Sequence, residues 1–176
     1  MKPRSFSWKI WFAYDAKVQV DFNPDVVARY RLVGYENRDI ADHDFRNDAV
    51  DAGEIGAGHT VTALYAIHLH PNAQGRLATV QLRWQDPDTR AVVEINGNVN
   101  TFDLVRSFEE ASPRYQLAVV VAQYAELLRG SYWVGDTTMS LLAAHANRLV
   151  NLLPEDAEVS ELAALINRAN AIVVVK

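Results

Sequence analysis

Five carboxylates crowd one stretch of the chain: Asp42, Asp44, Asp48, Asp51 and Glu54. Oxygen-rich clusters hold calcium when their spacing lets the carboxylates converge. A calcium loop beginning at Asp42 would put Arg46 at its fifth position, Asn47 at its sixth and Gly53 at its twelfth. The sixth position needs glycine and the twelfth a bidentate glutamate, so the EF-hand spacing fails. An irregular calcium cage over residues 39–54 stays open as an alternative. The expected state is a solvated acidic loop, with Asp42 or Asp44 paired to Arg31, Arg38 or Arg46. Gly53, Gly56 and Gly58 follow. Phosphate-binding glycine loops open a helix, whose amides and dipole face the anion. These glycines lead into a strand-like run without Gly-Lys-Ser/Thr, so they are expected to form a backbone corner.

Other candidates for chemistry are sparse. His68 and His70 are two apart on a strand-like run, which sends both to one face and would suit two zinc ligands. His59 has the opposite parity, so no third ligand is in view. His145 lies on an apolar helical stripe and is expected to be buried with one hydrogen bond. The chain has no cysteine, which excludes disulfides, thiolate zinc sites and a thiol nucleophile. No Gly-x-Ser-x-Gly elbow occurs, and no serine has a histidine placed to activate it. No catalytic or cofactor-binding residue is therefore assigned, and the chain is expected not to be an enzyme. A hydrolase of unknown type is the alternative, since paired carboxylates can lie far apart in sequence. Among the aromatics, Tyr115 and Tyr124 read as core or loop packing. Tyr132 and Trp133, beside Gly135 between two helices, are the interface candidates.

Charge and hydropathy narrow the classes further. The net charge is -5 and the basic residues are scattered among acids, so no nucleic-acid partner is expected. The N-terminal apolar run is broken by Lys9 and Asp15, and no segment approaches the ~18 apolar residues of a membrane span.

The elements that must position these residues follow from periodicity. Period-two alternation marks strands over 6–12, 16–22, 30–36, 61–69, 78–84 and 91–95. Asn23-Pro24-Asp25, Pro71 to Gly75, Asp86-Pro87-Asp88 and Asn96-Gly97-Asn98 are the expected turns. The run at 61–69 is expected to form a hairpin with 78–84. Helical stripes then take over: Leu117, Val120, Val121, Tyr124, Leu127 and Leu128; Leu141, Leu142, His145, Leu149 and Leu152; Val159, Leu162, Ile166 and Ala169. Ser112 and Pro113 start the first helix and Gly130 ends it; Asp136 or Thr137 caps the second. Residues 171–175 fit a helix tail or a short strand. Strands followed by helices give an α+β fold: an antiparallel β-sandwich of about six strands, then about three C-terminal helices. The expected division is 1–100 for the sandwich-like part and 101–176 for a helical part packed on it.

Three blocks in order carry a resemblance: Lys17 to Pro24, Tyr30 to Arg38, and Asp51 to Tyr65, with Leu127 to Ser131 further on. They resemble the C-terminal domain of YfbK-like bacterial proteins, a domain of unknown function that follows a von Willebrand factor type A domain. The resemblance implies an accessory, protein-binding role beside that type A domain and an extracytoplasmic, cell-envelope setting. It carries over no metal residue, because the Asp-x-Ser-x-Ser site belongs to the type A domain and is absent here. It also implies that Met1 begins an excised domain or a truncated homologue.

Overall fold

The computed structural model describes residues 11–34, 53–56 and 60–174. Among the described residues six strands come first: β1 (Trp11–Phe22), β2 (Val27–Leu32), β3 (Gly53–Gly56), β4 (Tyr65–Leu69), β5 (Arg76–Gln85) and β6 (Val92–Asn100). Three helices follow: α1 (Pro113–Leu128), α2 (Met139–Leu152) and α3 (Ala157–Val174). The fold is mixed α+β, with strands in two sheets preceding the helices. The chain divides into two compact units. One holds residues 1–31 and 35–104; the other holds Val105 onward together with Leu32–Gly34.

In the strand unit, β3-β1-β5-β6 form a four-stranded sheet and β2-β4 a two-stranded one. The β1–β3, β1–β5 and β5–β6 pairings are all antiparallel. Val26, Val27, Leu77 and Ala78 are buried together, and Val20, Phe22, Ile67 and Leu69 pack around them. Those residues come from both sheets, so the sheets share one core. The Phe22 ring stacks on Tyr30 at 4.2 Å and meets Tyr65 edge-on at 5.3 Å. Asn23 makes the turn after β1. Its Oδ1 accepts from the Asp25 amide at 3.1 Å and its Nδ2 donates to the Arg76 carbonyl at 2.9 Å.

Several expected elements differ. The 16–22 strand is the later part of β1, which runs unbroken from Trp11; residues 1–10 lie outside the described residues. The ladder shifts between Tyr14 and Lys17, where Asp15 takes φ 50, a conformation aspartate tolerates better than most residues. Alternation places Val18 inward, yet Val18 is 63% exposed while Lys17 is buried. The shared core reaches Val20 and Phe22 and stops short of Val18. The glycine corner is in part a strand: Gly53–Gly56 pairs with β1 through Trp11↔Gly56 and Ala16↔Gly53. The run at 61–69 shortens to Tyr65–Leu69, and it pairs with β2 instead of the 78–84 strand. The 71–75 turn thus carries the chain from one sheet to the other. The expected turn at Asn96-Gly97-Asn98 is absorbed into β6, whose register with β5 continues through Gly97↔Val80 to Val99↔Ala78.

The helical unit has its own core. Val120, Met139, Leu142, Ala143, Ala146, Leu149, Val159, Ala163 and Ile166 are buried together. Small Ala143 and Ala146 beside Leu142 and Leu149 let α2 approach its neighbours closely. Ser112 caps α1, accepting from the Tyr115 amide, with Pro113 in the first turn. The cap of α2 is Thr138, one residue beyond the expected positions, accepting from Leu141 N–H. Asp156 Oδ1 accepts from Glu158 N–H at the start of α3. Residues 171–174 continue that helix.

Candidate functional site

A side chain that binds a partner must be exposed, and helix α1 is apolar on two sides. Its inner side contributes Val120 to the helical core, with Leu117, Tyr124 and Leu127 packed around it. Its outer side carries Val121, Ala125 and Leu128, spaced four and three residues apart on one exposed face. Leu128 is 62% exposed. The sequence stripe placed Val121 and Leu128 inward; a helix of this width buries one side only. Gly130 at φ 64 ends the helix. The chain folds back through the Ser131 amide, which donates to the Glu126 carbonyl at 3.0 Å.

That reversal sets the interface candidates in place. Tyr132–Val134 forms a 3-10 turn, opened by Ser131, whose hydroxyl accepts from the Trp133 amide at 3.2 Å. Tyr132 is 89% exposed and Trp133 59%, and their rings meet edge-on at 5.3 Å. Gly135 at φ 57 closes the turn. Glu126, whose carbonyl takes the Ser131 bond, is buried and its side chain is ion-paired with Arg129. Leu128, four residues before Tyr132, is exposed as these aromatics are, although sequence reasoning assigned it to the core. Its position directly after Leu127 was the available signal, because consecutive helical residues diverge by about 100°.

The remaining candidates are placed as follows. Asp42, Asp44, Asp48 and Asp51 lie outside the described residues. Glu54 is in β3, at the edge of the four-stranded sheet. His68 is exposed on β4, and His70 lies just past its end, where Nε2 donates to the Pro24 carbonyl at 3.1 Å. Among the described residues, no group of three or more His, Asp or Glu side chains could hold a metal ion. His145 is half-buried and packs edge-on against Phe108 at 4.9 Å, where one hydrogen bond was expected. Tyr115 is exposed instead of packed, whereas Tyr124 does pack against the helical core.

Two clefts bear on the hydrolase alternative. One, of about 590 Å³, runs along the α2–α3 turn past Arg114, Glu155, Asp156 and Glu158. Asp156 there is engaged by Arg114, whose hydrogen bond holds its carboxyl below the ordinary aspartate range. The other, of about 760 Å³, is walled by Leu69, Ala73, Phe102 and Leu104. The first presents a carboxylate committed to an ion pair and a helix start; the second adds Gln74 and Thr101 to its apolar walls and, among the described residues, holds no titratable side chain.

Polar burial elsewhere has a structural use. Gln116, 1% exposed, donates through Nε2 to the Glu109 and Ala111 carbonyls at 3.1 and 2.6 Å. Its Oε1 accepts from Arg148 on α2. It fastens the approach to α1 onto α2.

The family described as Uncharacterized protein YfbK, C-terminal, matches residues 10–172. This chain belongs to that family. It is 30% identical over 148 residues to Uncharacterized protein YfbK of Escherichia coli strain K12, covering 73% of this chain and 25% of that protein. The chain therefore spans about a quarter of the length of the YfbK relative. No solved structure matches it. Among the described residues of this YfbK C-terminal domain, no helix is long and apolar enough to cross a membrane.

Proposed function

We propose that this YfbK C-terminal domain is a non-enzymatic accessory module that binds a von Willebrand factor type A domain of the same parent protein. The observation that carries the reading is the exposed rim of Leu128, Tyr132 and Trp133 at the end of α1. Tyrosine and tryptophan dominate the binding energy of protein interfaces, and a rigid turn presents them at low entropic cost. The domain's span of a quarter of its relative supports a role as one part of a larger chain. The type A partner comes from the resemblance of the sequence blocks to domains that follow one.

The test mixes the chain with the type A domain of its parent and measures binding by titration calorimetry. Saturable binding is expected, weakened about tenfold or more by Trp133→Ala, the scale of an interface hot spot. Thr79→Ala, remote in sequence on β5, should leave it unchanged. Two modules that tumble independently in the intact parent, with no binding in the titration, would remove the proposal.

A further inference from the structure

Strand β6 ends the order β3-β1-β5-β6, and among the described residues no strand pairs with its outer edge. A bare edge offers a row of amides and carbonyls to any extended segment. Natural sheets blunt such edges with lysine, proline or brevity. β6 has none of these. It runs nine residues, Val-Val-Glu-Ile-Asn-Gly-Asn-Val-Asn, with one charge. That charge, Glu94, is drawn 3.5 Å from Arg83 on β5, so it pairs within the sheet.

One face of this sheet stays apolar up to the edge. The register sets Val18 beside Leu82 and Leu82 beside Ile95, a row across β1, β5 and β6. Val18 and Ile95, at its two ends, are 63% and 52% exposed.

We propose that β6 pairs antiparallel with β6 of a second copy of this chain, about a twofold axis at Ile95. The sequence of the strand is complementary to itself in that register. Ile95 faces the second copy's Ile95, Glu94 faces its Asn96, Val93 its Gly97 and Val92 its Asn98. No like charges meet, whereas an axis at Glu94 would oppose two carboxylates, which is destabilising. Gly97 has open space around its Cβ position, so nothing there obstructs an incoming side chain. The apolar row then continues across the seam from Ile95 to the second copy's Ile95, Leu82 and Val18. A twofold contact of this kind uses the same patch twice and closes, so it consumes the edge without seeding a fibre.

The absence of cysteine makes the register testable. Residues directly opposite in an antiparallel pair have Cα atoms about 4.5–5.5 Å apart, within disulfide reach. Ile95→Cys should yield a covalent dimer on mild oxidation. Glu94→Cys, offset from its own copy, should not, and Glu94→Cys with Asn96→Cys should. Sedimentation of the unmodified chain should show a reversible monomer–dimer equilibrium, abolished by Ile95→Lys, which places two ammonium groups at the axis. Circular dichroism checks that Ile95→Lys stays folded, as its exposure predicts. A monomer at every concentration up to the solubility limit would overturn the proposal. So would a dimer indifferent to Ile95→Lys, or equal cross-linking at positions 94 and 95. A strand from elsewhere in a longer parent, displacing the second copy, would overturn it as well.

Discussion

Lys17 is 2% exposed, its ammonium 3.3 Å from Asp15 Oδ2. The sequence gives no sign of this burial, since positions 17, 19 and 21 alternate as the polar side of a strand. The ladder shifts just before Lys17, next to its partner Asp15, and such a shift leaves little trace in a single sequence. Asn23 is a partial case. Its turn is legible from Asn-Pro-Asp, but its bond to the Arg76 carbonyl depends on a pairing between distant strands. Removing one member of a buried ion pair strands the other charge, which costs about 3–5 kcal/mol. Lys17→Met is therefore expected to lose ~3 kcal/mol in urea unfolding. Asp15→Asn keeps a residue that accepts φ 50 while discharging the carboxylate. The double variant should be more stable than Lys17→Met alone. A double variant that loses the sum of the two single effects would show that the charges are not coupled.

The β5–β6 hairpin shows the same split between local and distant causes. Its turn was legible because Asp86-Pro87-Asp88 has the chemistry of a turn. Asp86 Oδ1 accepts from the Asp88 amide at 3.0 Å, the Thr89 amide at 2.8 Å and the Thr89 hydroxyl at 3.0 Å. The extent of β6 was not legible, because Asn-Gly-Asn reads as a turn wherever no neighbouring strand overrides it. The helices were more readable, since Ser112-Pro113 and Gly130 act locally. Even so, which side of α1 faces the core had to come from tertiary packing. The Asp86 bonds, first that from the Thr89 amide, hold its carboxyl below the ordinary value of 3.8. A depressed folded-state pKa gives stability that is complete above the unfolded value and lost as pH falls through the folded one. Asp86→Ala should accordingly lower the melting temperature at neutral pH, and its deficit should shrink below about pH 4. A deficit constant across that range would assign the effect to backbone geometry instead of the carboxylate.

The chain's two units each carry a separate hydrophobic core. The strand unit closes on Val26, Val27, Leu77 and Ala78; the helical unit on a larger set including Leu142, Leu149 and Ile166. The switch from period two to helical spacing made the strand-then-helix order readable, while the pairing of β4 with β2 escaped because nothing local names a partner strand. Cooperative unfolding spreads only as far as shared packing does, and two cores are the condition under which a single two-state transition fails. Calorimetry of the full chain should therefore show two overlapping transitions. Leu142 and Leu77 are both buried, and truncating such a leucine to alanine costs about 2–5 kcal/mol. Leu142→Ala should shift the helical transition by on the order of 10 °C and leave the other in place. Leu77→Ala should do the converse, and circular dichroism at the helical minimum would identify which transition moves. A single endotherm displaced by both substitutions would mean that the two cores melt as one body.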